Sequence, residues 1–383
     1  MKTETIKQDR LAQIFLFALM FTLGLALRLL FLPARTLDMG SYIQWYDHIA
    51  GHGIIRSLGE EFSGYNPPFI YLLALATLTQ SFLPKVWAIK LIPFAFDILN
   101  VFFTYKIVRL RFPQGHQPLL AALVMWVAPT ILINSSFWGQ TDSLYTSFLL
   151  ICVYYLLKEN PRAAVIAFAV SFSIKAQAVF LAPFLGILFF KKRIAWRTFF
   201  WIPIVYIAAF IPTMLAGRPV TTLFSTYMGQ GETFSKASMN AANFYSFLEP
   251  QDYQPALLIG LPLAALLLLT WMLVYGRKAY SLTPGILAFT ALVSVALPPF
   301  LLPKMHDRYF YPADVLSIIV AFHAPGTWFV PIAYQIISFL SYLPYLFAVR
   351  PQMILPPAAW LNAVTVGFLL WKQWRMTSNE DAN

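Results

Sequence analysis

The sequence predicts an all-α fold, a polytopic bundle of transmembrane helices with an extracytoplasmic first loop of interfacial helices. Three observations predict it. The chain is 59% hydrophobic and only 11% charged, where a soluble domain carries roughly 25% charged residues. Apolar runs near 20 residues, the length that crosses about 30 Å of hydrocarbon, recur from end to end. The Lys and Arg residues behind the net charge of +11 stand in short clusters between those runs. There they read as topology signals and not as a patch for nucleic acid.

The first run, 11–32, follows Lys2, Lys7 and Arg10 with no small-residue cleavage site, so it reads as a retained span. Further runs occupy 87–108, 118–136, 142–157, 162–175, 177–190, 197–215, 254–275, 282–302, 308–323, 328–347 and 355–372, about twelve spans in all. Pro67 to Leu83 is also apolar. If it crossed, the clusters at Lys106, Arg109 and Arg111, at Lys191 to Arg193 with Arg197, and at Arg277 with Lys278 would all face outward. The positive-inside rule therefore makes it an element that dips in or lies along the interface.

On this layout more than half of the 27 Lys and Arg face the cytoplasm and more than half of the 16 acids lie outside. Four polar patches then share the outer face: Pro33 to Asn66, Asn134 to Ser143, Gly217 to Tyr253 and Leu302 to Phe310. The short spans 162–175 and 177–190 meet at Ser173, Lys175 and Gln177, where a helix break is expected to line a cavity. Two modules are expected, 1–215 with the first outer loop and 216–383 completing the site. The tail after Met376 is short and polar and is read as disordered. Cys152, the single cysteine, falls inside an apolar run and reads as a packing residue.

Acidic residues are scarce, which makes their positions informative. Asp38 stands just past the first span, at the start of an interfacial helix, and reads either as a base at the membrane edge or as a helix cap. Asp47 and His48 follow nine and ten residues on. His48 and His52 have a spacing that can place two imidazoles on one face, although Gly51 and Gly53 weaken a helix there. Arg28, near the end of the first span, reads as snorkelling or paired.

In the second patch Trp138, Gln140 and Asp142 form a turn suited to stacking on and hydrogen-bonding a sugar, with a cap for the next helix as the plain reading of Asp142. Lys175 and Gln177 sit at the helix break. Lys175 reads as paired with Asp97 or as a lipid-phosphate ligand. In the fourth patch Lys304, His306 and Arg308 surround Asp307 at a helix start, an arrangement that can bind phosphate or anchor the helix. No phosphate-binding loop, nucleophile elbow or His-Glu-x-x-His motif is present.

Taken together, the Asp38 loop, Tyr65-Asn-Pro-Pro68, Phe137-Trp-Gly-Gln-Thr-Asp142, Lys175-x-Gln177, Asn240-Ala-Ala-Asn-Phe244 and Met305-His-Asp-Arg-Tyr309 resemble the class C (GT-C) membrane glycosyltransferases. The resemblance is to bacterial proteins related to the second GPI mannosyltransferase, and it covers the chain from the first span to about Pro312. It implies inverting transfer of a hexose, mannose favoured, from a polyprenyl-phosphate sugar to a glycan or glycolipid acceptor at the extracytoplasmic face of a bacterial inner membrane.

Asp38 is the position matching the family's base. His306, Asp307 and Arg308 match its donor-phosphate motif, with Lys175 and Lys304 as further cations. Trp138, Gln140, Asp142, Gln177, Asp47, Asn243 and Asp307 are the expected sugar and acceptor contacts. Tyr42, Trp45 and Tyr46 would bracket the lipid headgroup. Asp38 lacks an acidic neighbour, so no cofactor is expected, while Asp142 leaves a divalent metal open. The rival reading is a transporter or flippase of lipid-linked sugars, which requires polar residues along a path through the membrane.

Overall fold

The computed structural model describes residues 2–222, 236–248 and 253–378. Part of the Gly217 to Tyr253 patch, at 223–235 and 249–252, lies outside the described residues. Helix α1 (Lys2–Phe31) is followed by α2 (Leu37–His52), α3 (Ile54–Leu58), α4 (Pro67–Thr77) and α5 (Lys85–Arg111). Next come α6 (Gln117–Val127), α7 (Pro129–Leu132) with a π-helical turn (Ile133–Trp138), α8 (Asp142–Leu157) and α9 (Pro161–Ile174). A 3-10 turn (Ala176–Leu181) leads into α10 (Ala182–Phe190), and α11 (Trp201–Leu215) ends the first half. The second half holds α12 (Tyr253–Arg277), α13 (Pro284–Leu301), α14 (Tyr311–His323), α15 (Phe329–Phe347) and α16 (Pro351–Ser378). Among the described residues the only strands are β1 (Ser238–Met239) and β2 (Met305–His306).

Among the described residues, seven helical stretches are long and apolar enough to cross a membrane: Gln13–Phe31, Lys85–Arg111, Trp196–Leu215, Tyr253–Arg277, Pro284–Leu301, Phe329–Phe347 and Pro351–Ser378. The pair Gln117–Val127 and Pro129–Trp138, bent by 51°, makes an eighth if it counts as one span. The chain is therefore an integral membrane protein built as an all-α bundle. The other expected spans are helical but shorter: α8, α9, the 176–190 helix and α14. The 16 residues of α8 reach about 24 Å at 1.5 Å per residue, and α14 is buried along nearly its whole length. Its apolar surface is covered by other helices and not by lipid. Helix α4, with 11 residues, is shorter still, about 17 Å. Pro67 and Pro68 suit its first turn, where a missing N–H costs nothing.

A buried ion pair ties the first helix into the bundle. Arg28 does not snorkel: its Nη2 lies 3.0 Å from Asp97 Oδ2, with both side chains fully buried. Its Nη1 donates to the Trp126 carbonyl at 2.6 Å. Gly24 lets Trp126 approach, since a Cβ there would lie 2.3 Å from the indole nitrogen. Ser135 and Tyr311 also donate to Asp97, at 2.5 and 3.3 Å, so Asp97 is not the partner of Lys175.

The bend between α6 and α7 falls at Pro129, which has no N–H to continue the ladder. The π-turn beyond it ends at Gly139, whose φ of 81° suits a residue without a Cβ. A side chain there would meet Met39 Cε at 2.6 Å. Lys90 pins the same corner by donating to the carbonyls of Phe31, Ala34 and Phe137 at 3.0, 2.7 and 2.8 Å. At the break after α9, Lys175 is extended, with φ −150° and ψ 133°. Strands β1 and β2 pair Ser238 with Met305 and Met239 with His306, which holds the loop before α14 in register with the 236–248 segment. Of the tail after Met376, residues 377 and 378 differ from expectation: they close α16, and Lys278 Nζ donates to Thr377 and Ser378 at 3.2 and 2.7 Å, while 379–383 lie outside the described residues.

Candidate active site

One end of the bundle holds a cavity of about 330 Å³ whose lining includes Asp38, Tyr65, Asn66, Lys175, Gln177, Asn240, His306, Asp307, Arg308, Tyr309 and Tyr345. Six residues expected from the sequence to serve the site therefore converge: Asp38, Lys175, Gln177, His306, Asp307 and Arg308. They come from both halves of the chain. Helix α2 presents Asp38, the α9 break presents Lys175 and Gln177, and the β2 register presents His306 to Arg308.

Asp38 does not cap its helix. Thr36 is the N-cap residue and makes no side-chain cap, which leaves the Asp38 carboxylate for tertiary donors. Trp138 Nε1 and Gln140 Nε2 both bond Oδ2, at 2.9 and 2.5 Å, and the Tyr345 hydroxyl bonds Oδ1 at 2.7 Å. Gln140 Oε1 in turn accepts from Tyr42 at 3.2 Å, and Tyr42 also meets the Tyr65 hydroxyl at 3.0 Å.

Asp142, fully buried, underlies the cations. Its Oδ1 is 2.5 Å from Lys175 Nζ, and its Oδ2 accepts from Asn134 at 3.0 Å and lies 3.6 Å from Arg308 Nε. Each Asp142 oxygen thus already has a donor or a cation beside it. Among the described residues no group of three or more His, Cys, Asp or Glu is placed to hold a metal ion. Arg308 also lies 3.5 Å from Asp307 Oδ1, beyond hydrogen-bonding geometry. Arg308 Nε and Asp307 Oδ1 are both buried without a hydrogen-bond partner.

The electrostatics follow from burial beside those charges. Burial pushes the Asp307 carboxyl up to about 7 against the pull of Arg308, with Asp38 and Asp142 adding to the rise. Burial, then Arg308 and Lys175, push the His306 imidazole down to about 3, so it is neutral at physiological pH. Burial alone would lower Arg308, but Tyr65, Asp142 and Asp307 outweigh it and hold the guanidinium above its usual range. The cavity therefore offers fixed cations, a neutral imidazole donor or acceptor, and a carboxyl close to its midpoint at neutral pH.

Several expected contacts lie elsewhere. Asp47 is half exposed and paired with Lys85 at 2.6 Å, so it does not reach the cavity. Lys304, held at a φ of 63°, places its ammonium 5.3 Å from the Tyr253 ring and is not among the lining residues. Asn243 is buried and structural, donating to the carbonyls of Pro299 and Leu302, both at 3.2 Å, that end α13. Trp138 and Gln140 are fully buried and act on Asp38, so neither is free to meet a sugar. Tyr42 and Tyr46 are buried as well and do not bracket a headgroup. Helix α2 runs through Gly51, and His48 stacks on His52 with ring centroids 4.2 Å apart while bonding Glu60 at 2.7 Å. Cys152 is buried and free.

Sequence reasoning missed Tyr345. It lies in an apolar helix more than 300 positions from Asp38, and no pattern in α15 sets it apart from the tyrosines around it. No family model matches the chain, and no curated protein matches it.

Proposed function

We propose that the protein is an inverting glycosyltransferase of GT-C type that moves a hexose, mannose favoured, from a polyprenyl-phosphate sugar to a glycan or glycolipid. The single observation that carries this reading is that Asp38, the Lys175 ammonium and the Arg308 guanidinium line one cavity. Polyprenyl phosphate is a good leaving group, so the reaction needs a base for the acceptor and cations for the departing charge, and no general acid. Asp38 takes the proton of the acceptor hydroxyl, whose oxygen attacks the anomeric carbon from the face opposite the phosphate. The bond from that carbon to the phosphate oxygen breaks, and Arg308, Lys175 and the neutral His306 stabilise the phosphate. Asp307, near its midpoint, can donate to a phosphate or sugar oxygen when protonated.

In this reading the cavity opens on the extracytoplasmic face of a bacterial inner membrane, and the positive clusters support that side through the positive-inside rule. In the same reading the short helices α8, α9, 176–190 and α14 complete a set of about twelve crossings. A flippase requires a polar path across the bilayer. The larger cavity beside α6, α14 and α15, about 860 Å³, is lined by apolar residues with Gln335 as the polar exception and supplies no such path.

The test is to incubate the purified chain in vesicles with a panel of polyprenyl-phosphate sugars and acceptors and to score polyprenyl phosphate release. Asp38→Asn is expected to lower turnover by about 10²–10⁴-fold, the usual weight of a general base, with expression unchanged. Full turnover in that variant would refute the assignment.

A further inference from the structure

The three donors to Asp38 are not equivalent. A carboxylate oxygen offers two in-plane lone pairs. Oδ2 is filled by Trp138 and Gln140, both fully buried, so a substrate cannot replace them. Oδ1 accepts one bond, from Tyr345 at 2.7 Å, and keeps one lone pair. Tyr345 and Asp38 both line the cavity. The phenol ring is held in place by stacking on Trp138, with centroids 5.1 Å apart and planes 21° apart. The same indole thus fixes the carboxylate through its N–H and the phenol through its face.

Resting on the transferase reading, we propose that Tyr345 is a positioning residue: it holds Asp38 so that Oδ1 is the atom that accepts the proton of the acceptor hydroxyl. The acceptor O–H bond breaks, and its proton goes to the remaining Oδ1 lone pair. The acceptor oxygen bonds the anomeric carbon, and the electron pair of the broken carbon–oxygen bond leaves with the phosphate. Once protonated there, Oδ1 still accepts from the Tyr345 hydroxyl on its other lone pair, so the contact persists through the step.

The test uses the full chain in vesicles. A hydrogen bond to the charged form favours that form, so Tyr345→Phe is expected to move the acid limb of kcat/KM upward by about one pH unit. 3-Fluorotyrosine at position 345 makes the phenol a stronger donor and is expected to move the limb downward. The Asp38 carboxylate is also titrated by infrared difference spectroscopy against Asp38→Asn, which needs no turnover, and its midpoint is expected to follow the same two directions. A midpoint and acid limb that stay in place in both variants, with only KM raised, would overturn the proposal and leave Tyr345 a wall of the cavity. If the midpoint shifts as expected but the unmodified protein releases phosphate from no donor, the transferase reading fails while the positioning of Asp38 by Tyr345 stands.

Discussion

The Asp142 carboxylate, fully buried, lies 2.5 Å from the Lys175 ammonium. Its other oxygen faces Arg308 at 3.6 Å, so one buried anion supports two cations of the cavity. Removing one partner of a buried pair leaves the other charge uncompensated, at a cost of about 3–5 kcal/mol. Asp142→Ala is therefore expected to lower the unfolding temperature in detergent strongly. Asp142→Leu combined with Lys175→Met should recover part of the loss without restoring turnover. Equal unfolding temperatures in the single and double variants would show that the pair is not coupled.

Arg28 and Asp97 form the second buried pair, away from the cavity. Arg28→Met is expected to destabilise by about 3–5 kcal/mol, because Asp97 is left buried and charged. Arg28→Met with Asp97→Leu should be more stable than Arg28→Met alone. Thermal unfolding of the three proteins in one detergent measures this directly.

The loop before α14 contains two groups that act on stability with opposite signs. Asp307 is raised from 3.8 to about 7, so between those pH values the folded chain holds a proton that the unfolded chain has lost. Its contribution to stability falls as pH rises through that window. His306 is lowered from 6.5 to about 3, so there the unfolded chain binds the extra proton and stability rises with pH. Between pH 4 and 6.5 the two slopes oppose each other. Asp307→Asn is expected to remove the falling term, so its unfolding temperature climbs more steeply from about pH 4 to 6.5 than that of the unmodified chain. Parallel pH profiles for the two proteins would contradict this.

Gly139 separates Trp138 from Gln140, the two buried donors to Asp38. Gly139→Ala places a side chain on a left-handed backbone, which costs about 1–2 kcal/mol, and pushes into Met39 Cε at 2.6 Å. The expected result is a lower unfolding temperature together with a loss of turnover, because Gln140 moves away from Asp38. Adding Met39→Ala should relieve the contact but not the backbone cost. Stability and release assays on both variants separate the two.

Much of the cavity was legible in the sequence because charge is rare in so apolar a chain. Lys175 stood at the meeting of two short runs, and the structure puts an extended residue there. His306, Asp307 and Arg308 formed a compact cluster, and they line the cavity together. Other assignments went astray for a common reason: residue type does not reveal direction. Asp47 lies on the same helix as Asp38 yet turns toward Lys85. Trp138 looked like a stacking platform and is instead a buried donor. The span count was harder to read because an apolar run of 13 to 16 residues, such as α14 or α8, looks the same whether lipid or other helices cover it.

What the sequence by itself determined was the helical, membrane-embedded character of the chain and the few positions where polarity survives. Both follow from the scarcity of charge and the length of the apolar runs, properties that are additive along the chain. Only the tertiary structure decided which polar groups pair. It joined Arg28 to Asp97 and Lys175 to Asp142, and it brought Tyr345 to Asp38 across 307 positions. The physical reason is that a buried charge is stable only beside a complementary group. Which group comes close enough is set by how the helices pack and not by their order in the chain.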